Sequence, residues 1–340
     1  MGEMLDIKEE EGDKPPKPRE KYILDGISNF FRYGICSMKG WRKTMEDSFL
    51  VKLNIGPKKS THIFGVFDGH GGREVAKFVR DHFVDEFLKN ENYEKGDIKT
   101  CLKETFLKLD KKLLEEQSMQ EMTEDHFLFN QEFNIEEKES RHQMVEENGY
   151  KYIEDISYTR GSTGLVLVIH NHTQLYFANL GDSRGIIINE NSFLKMTNDH
   201  KPDNNEEKKR IKRAGSKIYE HRVSGLLNMS RSFGDFQFKL RRDLKQEEQA
   251  VCACPEITFM ERTKRELFIV LACDGVWDCI TNSQISQYIC HSVNNDPQKR
   301  LSLIIGDLFN RILSDSPSND VGTDNMTCIL IQLKNPELDI

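Results

Sequence analysis

The sequence predicts an α+β fold built mainly from antiparallel sheets. Apolar runs with strand character and amphipathic helical stretches occur in blocks, in the order strands, helices, strands, helices and a last strand. This order favours antiparallel sheets, because a parallel sheet needs a helical crossover between successive strands. Residues 161–189 are typical of a β-meander, since turn residues separate two or three apolar runs. The chain is 37% apolar and 31% charged, which is the composition of a globular protein.

The first strands and helices follow a charged N-terminal segment. Residues 1–26 contain many charged side chains and three prolines, and this composition predicts a mobile tail. Strand patterns then cover residues 48–53 and 62–67. Apolar residues recur at helical spacing over residues 73–89 and 99–116. We therefore expect a pair of strands followed by two amphipathic helices.

The second half of the chain repeats this change from strand to helix patterns. Residues 206–214 indicate a short charged helix, and residues 267–272 indicate a buried strand. Two helical patterns follow at residues 283–293 and 298–313, before a last strand at residues 326–333. These elements complete the predicted sheets and helices.

One acidic segment accounts for the net charge of the chain. Residues 119–157 hold 11 acidic and 3 basic side chains, a balance of −8 that equals the formal charge of the whole chain. This composition is typical of a disordered insertion. A basic run at residues 208–213 is either solvated surface or a docking face for acidic phosphosubstrates. No basic stripe follows the rest of the chain, so we expect no nucleic-acid partner.

The sequence predicts neither a transmembrane segment nor a secretory signal. The longest apolar run, near residues 267–273, is far shorter than the ~18 residues of a membrane span. The N-terminus lacks an apolar signal region, so we expect a cytoplasmic or nuclear protein whose eight cysteines are thiols. Asp6 stands where the simple myristoylation pattern has Ser or Thr, yet Gly2 follows the initiator Met. A weak N-terminal lipid anchor with reversible membrane association therefore stays an open alternative.

Carboxylates mark four predicted strand ends. Glu46 and Asp47 precede one strand, Asp68 and Asp274 each follow one, and Asp324 precedes the last. The end of one antiparallel strand lies beside the start of its neighbour, so these residues can converge on one rim. Five gathered carboxylates require a counter-charge, because each unpaired buried charge costs several kcal/mol. The alternative is that each Asp-Gly pair is merely a turn.

The donor set predicts a hard divalent cation. Carboxylate, carbonyl and water oxygens favour Mg²⁺ or Mn²⁺ over zinc. Gly69 fits this interpretation, because a residue without a Cβ lets its own carbonyl approach a metal.

Eight ordered motifs over about residues 32–333 resemble the metal-dependent protein serine/threonine phosphatases of type 2C, the PPM family. Any one of them would be weak, whereas eight in order are specific. The motifs are RKTMED at 42–47, VFDGHGG at 66–72, GSTG at 161–164, NLGDSRG at 179–185, NDHKP at 198–202, SRSFGD at 230–235, LACDGVWD at 271–278 and TDNMT at 323–327.

The resemblance implies one catalytic domain over residues 27–338 with an αββα architecture. Two mainly antiparallel sheets would be flanked by helices, with a flap subdomain at about residues 202–250 bordering the cleft. It also implies phosphoprotein substrates, and we expect a monomer.

The resemblance also implies roles for individual residues around two Mg²⁺ or Mn²⁺ ions. Asp68 would bridge both ions, and Arg42 would bind the substrate phosphate through its planar fork of donors. The first ion would be held by the Gly69 carbonyl, Asp274 and Asp324, and metal-bound waters by Glu46 and Asp47.

The expected mechanism is direct hydrolysis by a metal-activated water, without a covalent phosphoenzyme. His70 is the candidate general acid that protonates the leaving serine or threonine oxygen. Its alternative interpretation is a structural histidine in a glycine-rich turn. His200 is interpreted as structural, since it lies outside the metal motifs.

Tyr158 departs from the family pattern. Relatives often carry an aspartate at this position, which is associated with a third, weaker metal. A neutral phenol is a poor Mg²⁺ ligand, so we expect two ions and no third one, unless Asp155 reaches the same space.

Two rival functions stay open. A pseudophosphatase would use the same fold as a scaffold or binding module, although all core ligands are present here. A hydrolase of small phosphoesters would need the same cleft chemistry, so only substrate profiling separates it from a protein phosphatase.

Overall fold

The structure is a computed structural model that describes residues 18–133, 144–147, 150–153, 158–190, 192–263 and 265–334. In chain order its strands are β1 (Lys21–Ile27), β2 (Phe31–Met38), β3 (Ser48–Ile55), β4 (Thr61–Phe67), β5 (Gly69–His70), β6 (Met144–Glu147), β7 (Tyr150–Ile153), β8 (Gly161–Ser162), β9 (Gly164–His170), β10 (Gln174–Leu180), β11 (Arg184–Asn189), β12 (Phe193–Lys195), β13 (Ile218–Tyr219), β14 (Arg222–Val223), β15 (Phe233–Gly234), β16 (Glu256–Glu261), β17 (Glu266–Ala272) and β18 (Met326–Leu333). Its α-helices are α1 (Glu74–Leu88), α2 (Glu91–Glu94), α3 (Ile98–Lys112), α4 (Glu116–Phe133), α5 (Asn205–Arg213), α6 (Asp274–Trp277), α7 (Asn282–Asn295) and α8 (Leu301–Ile312).

Two antiparallel sheets form the centre of the molecule. The six-stranded sheet has the order β1-β2-β18-β17-β11-β12, and the five-stranded sheet has the order β16-β10-β9-β4-β3. One apolar core joins their facing surfaces, where Phe64 and Phe177 of one sheet meet Ile35 and Ile329 of the other. These sheets confirm the predicted α+β class.

Helices cover the outer face of each sheet. Side chains of α7 and α8, such as Ile289 and Phe309, complete the core on the side of the six-stranded sheet. On the other side, α1 and α3 bury Phe83 and Phe106 against the five-stranded sheet. The helical spacing of these apolar residues is the reason why the helices were predictable.

The prediction of a tail over residues 1–26 is wrong for its last six residues. Lys21–Ile27 forms an edge strand that pairs along its whole length with β2. Asp25 fixes this strand to α8 by accepting hydrogen bonds from the Ser302 backbone N–H at 2.9 Å and the Arg300 Nε at 2.9 Å. Tyr22 and Ile27 stay largely exposed, so the strand lacks the apolar pattern of a buried one. Residues 1–17 lie outside the described part of the chain.

The acidic segment 119–157 begins as part of the helical layer, contrary to the expected disordered insertion. Met119 and Met122 on α4 are 3% and 2% exposed and belong to the core under α1 and α3. Asp125 accepts hydrogen bonds from Arg73 at 3.2 and 3.3 Å. The acidic composition masked the helical pattern in the sequence, although Met119 and Met122 are enough to pack the start of α4 against the core. Asp155 lies outside the described residues.

The flap region has a small core of its own. Residues of α5, the β13–β14 hairpin and the following loops bury Ile211, Val223, Phe238 and Val251 together. Beneath it, Glu207 accepts hydrogen bonds from Arg210 at 2.7 Å and Arg231 at 2.6 Å. The predicted basic face is therefore wrong for Arg210, whose guanidinium turns inward.

All eight cysteines are free thiols, as expected. Among the described residues, no helix is both long and apolar enough to cross a membrane.

Candidate metal centre and active site

The predicted carboxylates meet where the ends of two sheets face each other. Asp47 and Asp68 flank the β3–β4 pair of the five-stranded sheet. Asp274 follows β17, and Asp324 precedes β18, in the six-stranded sheet. The predicted convergence therefore occurs, and it involves strand ends of both sheets. The four strand ends enclose one cleft.

The cleft has a volume of about 380 Å³. It includes most of the predicted site, together with two residues of the flap, Asn228 and Met229. Its lining residues are Arg42, Lys43, Thr44, Glu46, Asp68, Gly69, His70, Gly71, Asn228, Met229, Asp274, Asp324 and Asn325. Asp47 lies behind this lining, with both carboxylate oxygens buried.

The crowded carboxyl groups hold their protons unusually tightly. Burial and then the charge of Asp274 raise the pKa of Asp68 well above its usual value. Burial and then the charge of Asp182 raise the pKa of Asp274 to about 8. For Asp47, burial raises the pKa to about 6. Each pKa is raised because a carboxylate is buried with too little positive charge nearby. A bound cation would lower these pKa values again.

The residues present fit a hard divalent ion. Among the residues that the structure describes, neither carboxylate oxygen of Asp47 has a hydrogen-bond partner, although Cys273 and Asp68 place ligand atoms within 4.8 Å of it and of each other. Buried carboxylate oxygens without protein partners are suited to hold a metal or its waters. The thiol of Cys273 accepts a hydrogen bond from the Thr327 N–H at 3.1 Å, so it has a structural partner.

Gly69 is required by close packing as well as by its predicted carbonyl role. A Cβ at this position would lie 2.5 Å from the Glu46 carbonyl oxygen and 3.0 Å from that of Gly72. No side chain fits there without backbone movement. The tight approach brings the RKTMED loop against the DGHGG turn.

Hydrogen bonds fix the loop that carries Glu46. Its Oε1 accepts from the Thr44 hydroxyl at 2.7 Å and its Oε2 from the Gly72 N–H at 3.0 Å. Asn325 accepts from the Glu46 N–H at 2.8 Å and donates to the Thr44 carbonyl at 3.0 Å. Asn325 was not predicted, although it belongs to the TDNMT motif.

Arg42 lies at the rim of the cleft and contacts a predicted metal ligand. Its Nη2 donates to Asp324 Oδ2 at 2.7 Å, while 60% of its side chain is exposed. An exposed ion pair of this kind is worth at most about 1 kcal/mol. The guanidinium is therefore available to an anion that enters the cleft.

His70 is fixed by a residue that the sequence did not single out. Its Nε2 donates to Asp235 Oδ2 at 2.8 Å, and its Nδ1 is buried with no hydrogen-bond partner in the described part of the chain. Burial lowers the pKa of His70, but the charge of Asp235 and this hydrogen bond outweigh it and leave the pKa raised. His200 is buried elsewhere, where its Nδ1 accepts from the Gly181 N–H at 3.1 Å, in agreement with a structural role.

Further acidic residues extend the site beyond the predicted set. Asp182, from the NLGDSRG motif, is 2% exposed. Its Oδ2 accepts from Lys201, and its Oδ1 has no hydrogen-bond partner among the described residues. Asp182 and Asp278 both act on the pKa of Asp274. Membership in the NLGDSRG motif was the signal in the sequence that could have identified Asp182.

Tyr158, the position at which relatives often carry an aspartate, packs against the core under α1 and α3.

Several known proteins are similar to this chain in sequence or in fold. The family model described as "Protein phosphatase 2C" matches residues 31–307. A probable protein phosphatase 2C 3 of Paramecium tetraurelia is 38% identical over 318 residues, which are 93% of this chain and 97% of that protein. A probable protein phosphatase 2C 60 of Arabidopsis thaliana is 35% identical over 327 residues, with 93% and 90% covered. A solved phosphatase of Toxoplasma gondii has a TM-score of 0.68 at 19% identity, with 92% of this chain and 96% of that chain covered.

The two-sheet fold and the convergent carboxylates define a class, the phosphatases that depend on divalent metals. The chain belongs to the protein phosphatase 2C family and is a protein serine/threonine phosphatase. The resemblance inferred from the eight motifs is confirmed.

Proposed function

We propose that the chain hydrolyses phosphoserine and phosphothreonine in proteins with two Mg²⁺ or Mn²⁺ ions in the cleft. The observation that carries this proposal is the convergence of Asp47, Asp68 and Asp274, whose pKa values are all raised. Such a site binds cations strongly, because the cation relieves repulsion among the carboxylates.

Each carboxylate has a proposed part in holding the ions. Asp68 would contact both, since it lies among Asp47, Asp274 and Asp324, whose charges all act on it. Asp274, Asp324 and the Gly69 carbonyl would complete one site, and Glu46 and Asp47 would hold coordinated waters. When bound, the ions supply the Lewis acidity that activates water and stabilises charge on the phosphoryl group.

The protein's own side chains bind the phosphate and deliver a proton. Arg42 and Lys43 line the rim of the cleft and would hold the phosphate oxygens. His70 would donate its Nδ1 proton to the serine or threonine oxygen as the P–O bond breaks. Water supplies the oxygen of the released phosphate and loses its proton to solvent, and His70 recovers a proton from solvent.

Substrate profiling tests this function. Peptides with phosphoserine, phosphothreonine or phosphotyrosine are assayed with Mn²⁺, with Mg²⁺ and with chelator, beside p-nitrophenyl phosphate. We expect turnover of the first two peptides that disappears in chelator. Turnover of p-nitrophenyl phosphate alone would instead support a hydrolase of small phosphoesters. Peptide binding without any turnover would support a pseudophosphatase.

A further inference from the structure

A small three-stranded sheet beside the cleft joins three of the sequence motifs. Its strand order is β15-β8-β5, so the SRSFGD, GSTG and VFDGHGG motifs lie side by side. His70 pairs with Gly161, and Gly161 pairs with Gly234 on its other side. The outer strands therefore carry His70 and the residue next to Asp235 to opposite sides of one glycine.

The hydrogen bond between His70 and Asp235 crosses over this central glycine. A Cβ on Gly161 would lie 2.2 Å from Asp235 Oδ2 and 2.6 Å from His70 Nε2. Real Cβ atoms do not approach other atoms so closely, so any side chain here would separate the pair. The contact between His70 and Asp235 therefore requires a glycine at position 161 of the GSTG motif.

Asp235 is built into the fold as a fixed acceptor. Its side chain is 1% exposed, and its Oδ2 also accepts a hydrogen bond from the Ser232 hydroxyl at 2.5 Å. Its backbone has φ 51, the left-handed region, and its N–H donates to the Arg160 carbonyl at 2.9 Å. A non-glycine residue in this region costs of order 1–3 kcal/mol and occurs preferentially at functional sites.

A buried ion pair holds the loop that carries Asp235. Asp110 on α3 accepts from the Gly234 N–H at 2.9 Å and from Lys239 Nζ at 2.8 Å. Lys239 also donates to the Ser232 carbonyl at 2.8 Å. The acceptor that faces His70 is therefore fixed from both sides along the chain.

The contact with Asp235 determines which ring nitrogen of His70 is left for another partner. A carboxylate can only accept, so Nε2 must carry the proton that it donates to Asp235. Nδ1 is then the ring nitrogen left for the reaction, and within the described residues it is buried without a hydrogen-bond partner. Such a fixed orientation is what proton transfer to a leaving group requires.

We propose that Asp235 is a positioning residue that keeps a proton on Nε2 of His70, so that the doubly protonated ring delivers its other proton, on Nδ1, to the leaving oxygen. This inference rests on the proposed function, because it assumes that His70 is the general acid. Asp235 itself contacts neither substrate nor metal in this account. A purely structural Asp235 would support the small sheet without affecting proton delivery.

The dependence on leaving group separates these two roles. An alkoxide leaving from a phosphothreonine peptide needs a proton, whereas the phenolate of p-nitrophenyl phosphate leaves without one. With Mn²⁺, we expect Asp235→Asn to lower kcat for the peptide by about 10- to 100-fold. Its kcat for p-nitrophenyl phosphate should change less than about 3-fold, and KM for both should stay nearly constant. Asp307→Asn on the exposed part of α8 is the charge-matched control and should affect neither substrate.

Combining the substitution with one at His70 tests whether the two residues act together. In a His70→Gln background, Asp235→Asn should have little further effect on peptide turnover, because residues that act as a unit are not additive. Ser232→Ala removes one hydrogen bond to the same carboxylate and should give a smaller loss with the same dependence on leaving group. This variant keeps the inference testable if Asp235→Asn folds poorly.

Imidazole ¹⁵N shifts of the wild-type, metal-free protein provide a readout that needs no activity. We expect His70, assigned by the signal lost in His70→Gln, to carry its proton on Nε2 when neutral. Equal losses for both substrates in Asp235→Asn, additive effects with His70→Gln, or a proton on Nδ1 in neutral His70 would each overturn the inference. A wild-type enzyme that hydrolyses neither substrate would instead refute the proposed function. Normal wild-type turnover with an unaffected Asp235→Asn refutes the positioning role alone.

Discussion

Two carboxylates of the cleft, Asp68 and Asp274, are buried next to other negative charges. Asp68 and Asp274 have raised pKa values because burial and neighbouring carboxylates disfavour their ionised forms. The folded, metal-free protein therefore keeps this region at a cost in stability. Function and stability have opposite requirements at these two positions.

Replacing either carboxylate by its amide should consequently separate activity from stability. We expect Asp68→Asn and Asp274→Asn to abolish turnover of phosphopeptides while raising the Tm of the chelated protein by about 2–4 °C. Differential scanning calorimetry in chelator and a phosphate-release assay with Mn²⁺ measure the two effects. A variant at Asp68 that retains full turnover would refute its proposed contact with both ions.

Tyr158 tests whether two ions are sufficient. It packs against a core instead of lining the cleft, so the described structure offers no carboxylate at this position. We expect Tyr158→Asp to increase the affinity for an additional Mn²⁺, measured by calorimetric titration, and to lower stability because apolar contacts are lost. Tyr158→Phe is the matched control and should leave Mn²⁺ binding unchanged. A third well-bound Mn²⁺ in the wild type would contradict the expectation.

Among the elements, α5 is joined to a later segment of the flap region through one buried carboxylate, Glu207, which accepts hydrogen bonds from Arg231. Burial alone would raise the pKa of Glu207, but hydrogen bonds from Arg231 and the charge of Arg210 lower it to about 2. A folded pKa below the unfolded one of about 4.5 adds stability above pH 4.5. That stability is lost as the pH falls from about 4.5 toward 2.

Glu207→Gln should therefore destabilise the protein in a pH-dependent way. At pH 7 we expect a loss of about 3 kcal/mol in the free energy of unfolding, since two guanidinium groups lose their buried counter-charge. The difference from wild type should shrink by about 1–2 kcal/mol between pH 5 and pH 3. Denaturant titrations across this range, with exposed Glu206→Gln as the control, measure it. A pH-independent difference would show that charge is not the cause.

Helix α4 changes what is expected of the acidic segment. Met122 is 2% exposed in the core under α1, whereas Glu124 on the same helix is exposed. Met122→Ala should lower the free energy of unfolding by about 2–4 kcal/mol and leave kcat within about twofold, because the side chain packs in a core and does not line the cleft. Glu124→Ala should change neither quantity. Equal stability of the two variants would mean that α4 is dispensable.

The success of sequence reasoning differed between elements for physical reasons. Strands β4, β17 and β18 are almost fully buried, and their continuous apolar runs were predictable. The edge strand β1 leaves Tyr22 and Ile27 exposed, and the described part of helix α4 buries Met119 and Met122 among acidic residues, so their composition looked like that of a tail and an insertion. The short strands β5, β8 and β15 have two residues each, which is too short for any periodicity.

The convergence of the carboxylates was predictable because Asp-Gly pairs mark strand ends, and the end of one antiparallel strand lies beside the start of its neighbour. Partnerships between distant residues carry no such local signal. The contact of His70 with Asp235, separated by 165 positions, and the pairing of Arg42 with Asp324 needed the fold. Asp235 belongs to the SRSFGD motif, but membership in a motif does not show which atom the residue contacts.

At the scale of the whole molecule, the cleft depends on both sheets at once. Each sheet contributes the ends of two strands, so the proposed metal ligands come together only when the sandwich has assembled. Metal binding should then stabilise the entire domain, because ligands held only in the folded state shift the unfolding equilibrium. The monomeric state, the cytoplasmic or nuclear location and the acylation of Gly2 stay predictions from the sequence. Intact-mass measurement on protein from its native cell tests the acylation.

The central claim is that the converging carboxylates form a two-ion centre on which turnover depends. Calorimetric titration of the chelator-treated protein with Mn²⁺, with phosphothreonine-peptide turnover followed in the same samples, tests it most directly. We predict two bound ions per chain, with turnover rising as the sites fill, and neither high-affinity binding nor turnover in Asp68→Asn. Full turnover of the chelator-treated protein before any Mn²⁺ is added, or unchanged Mn²⁺ binding in Asp68→Asn, would contradict it.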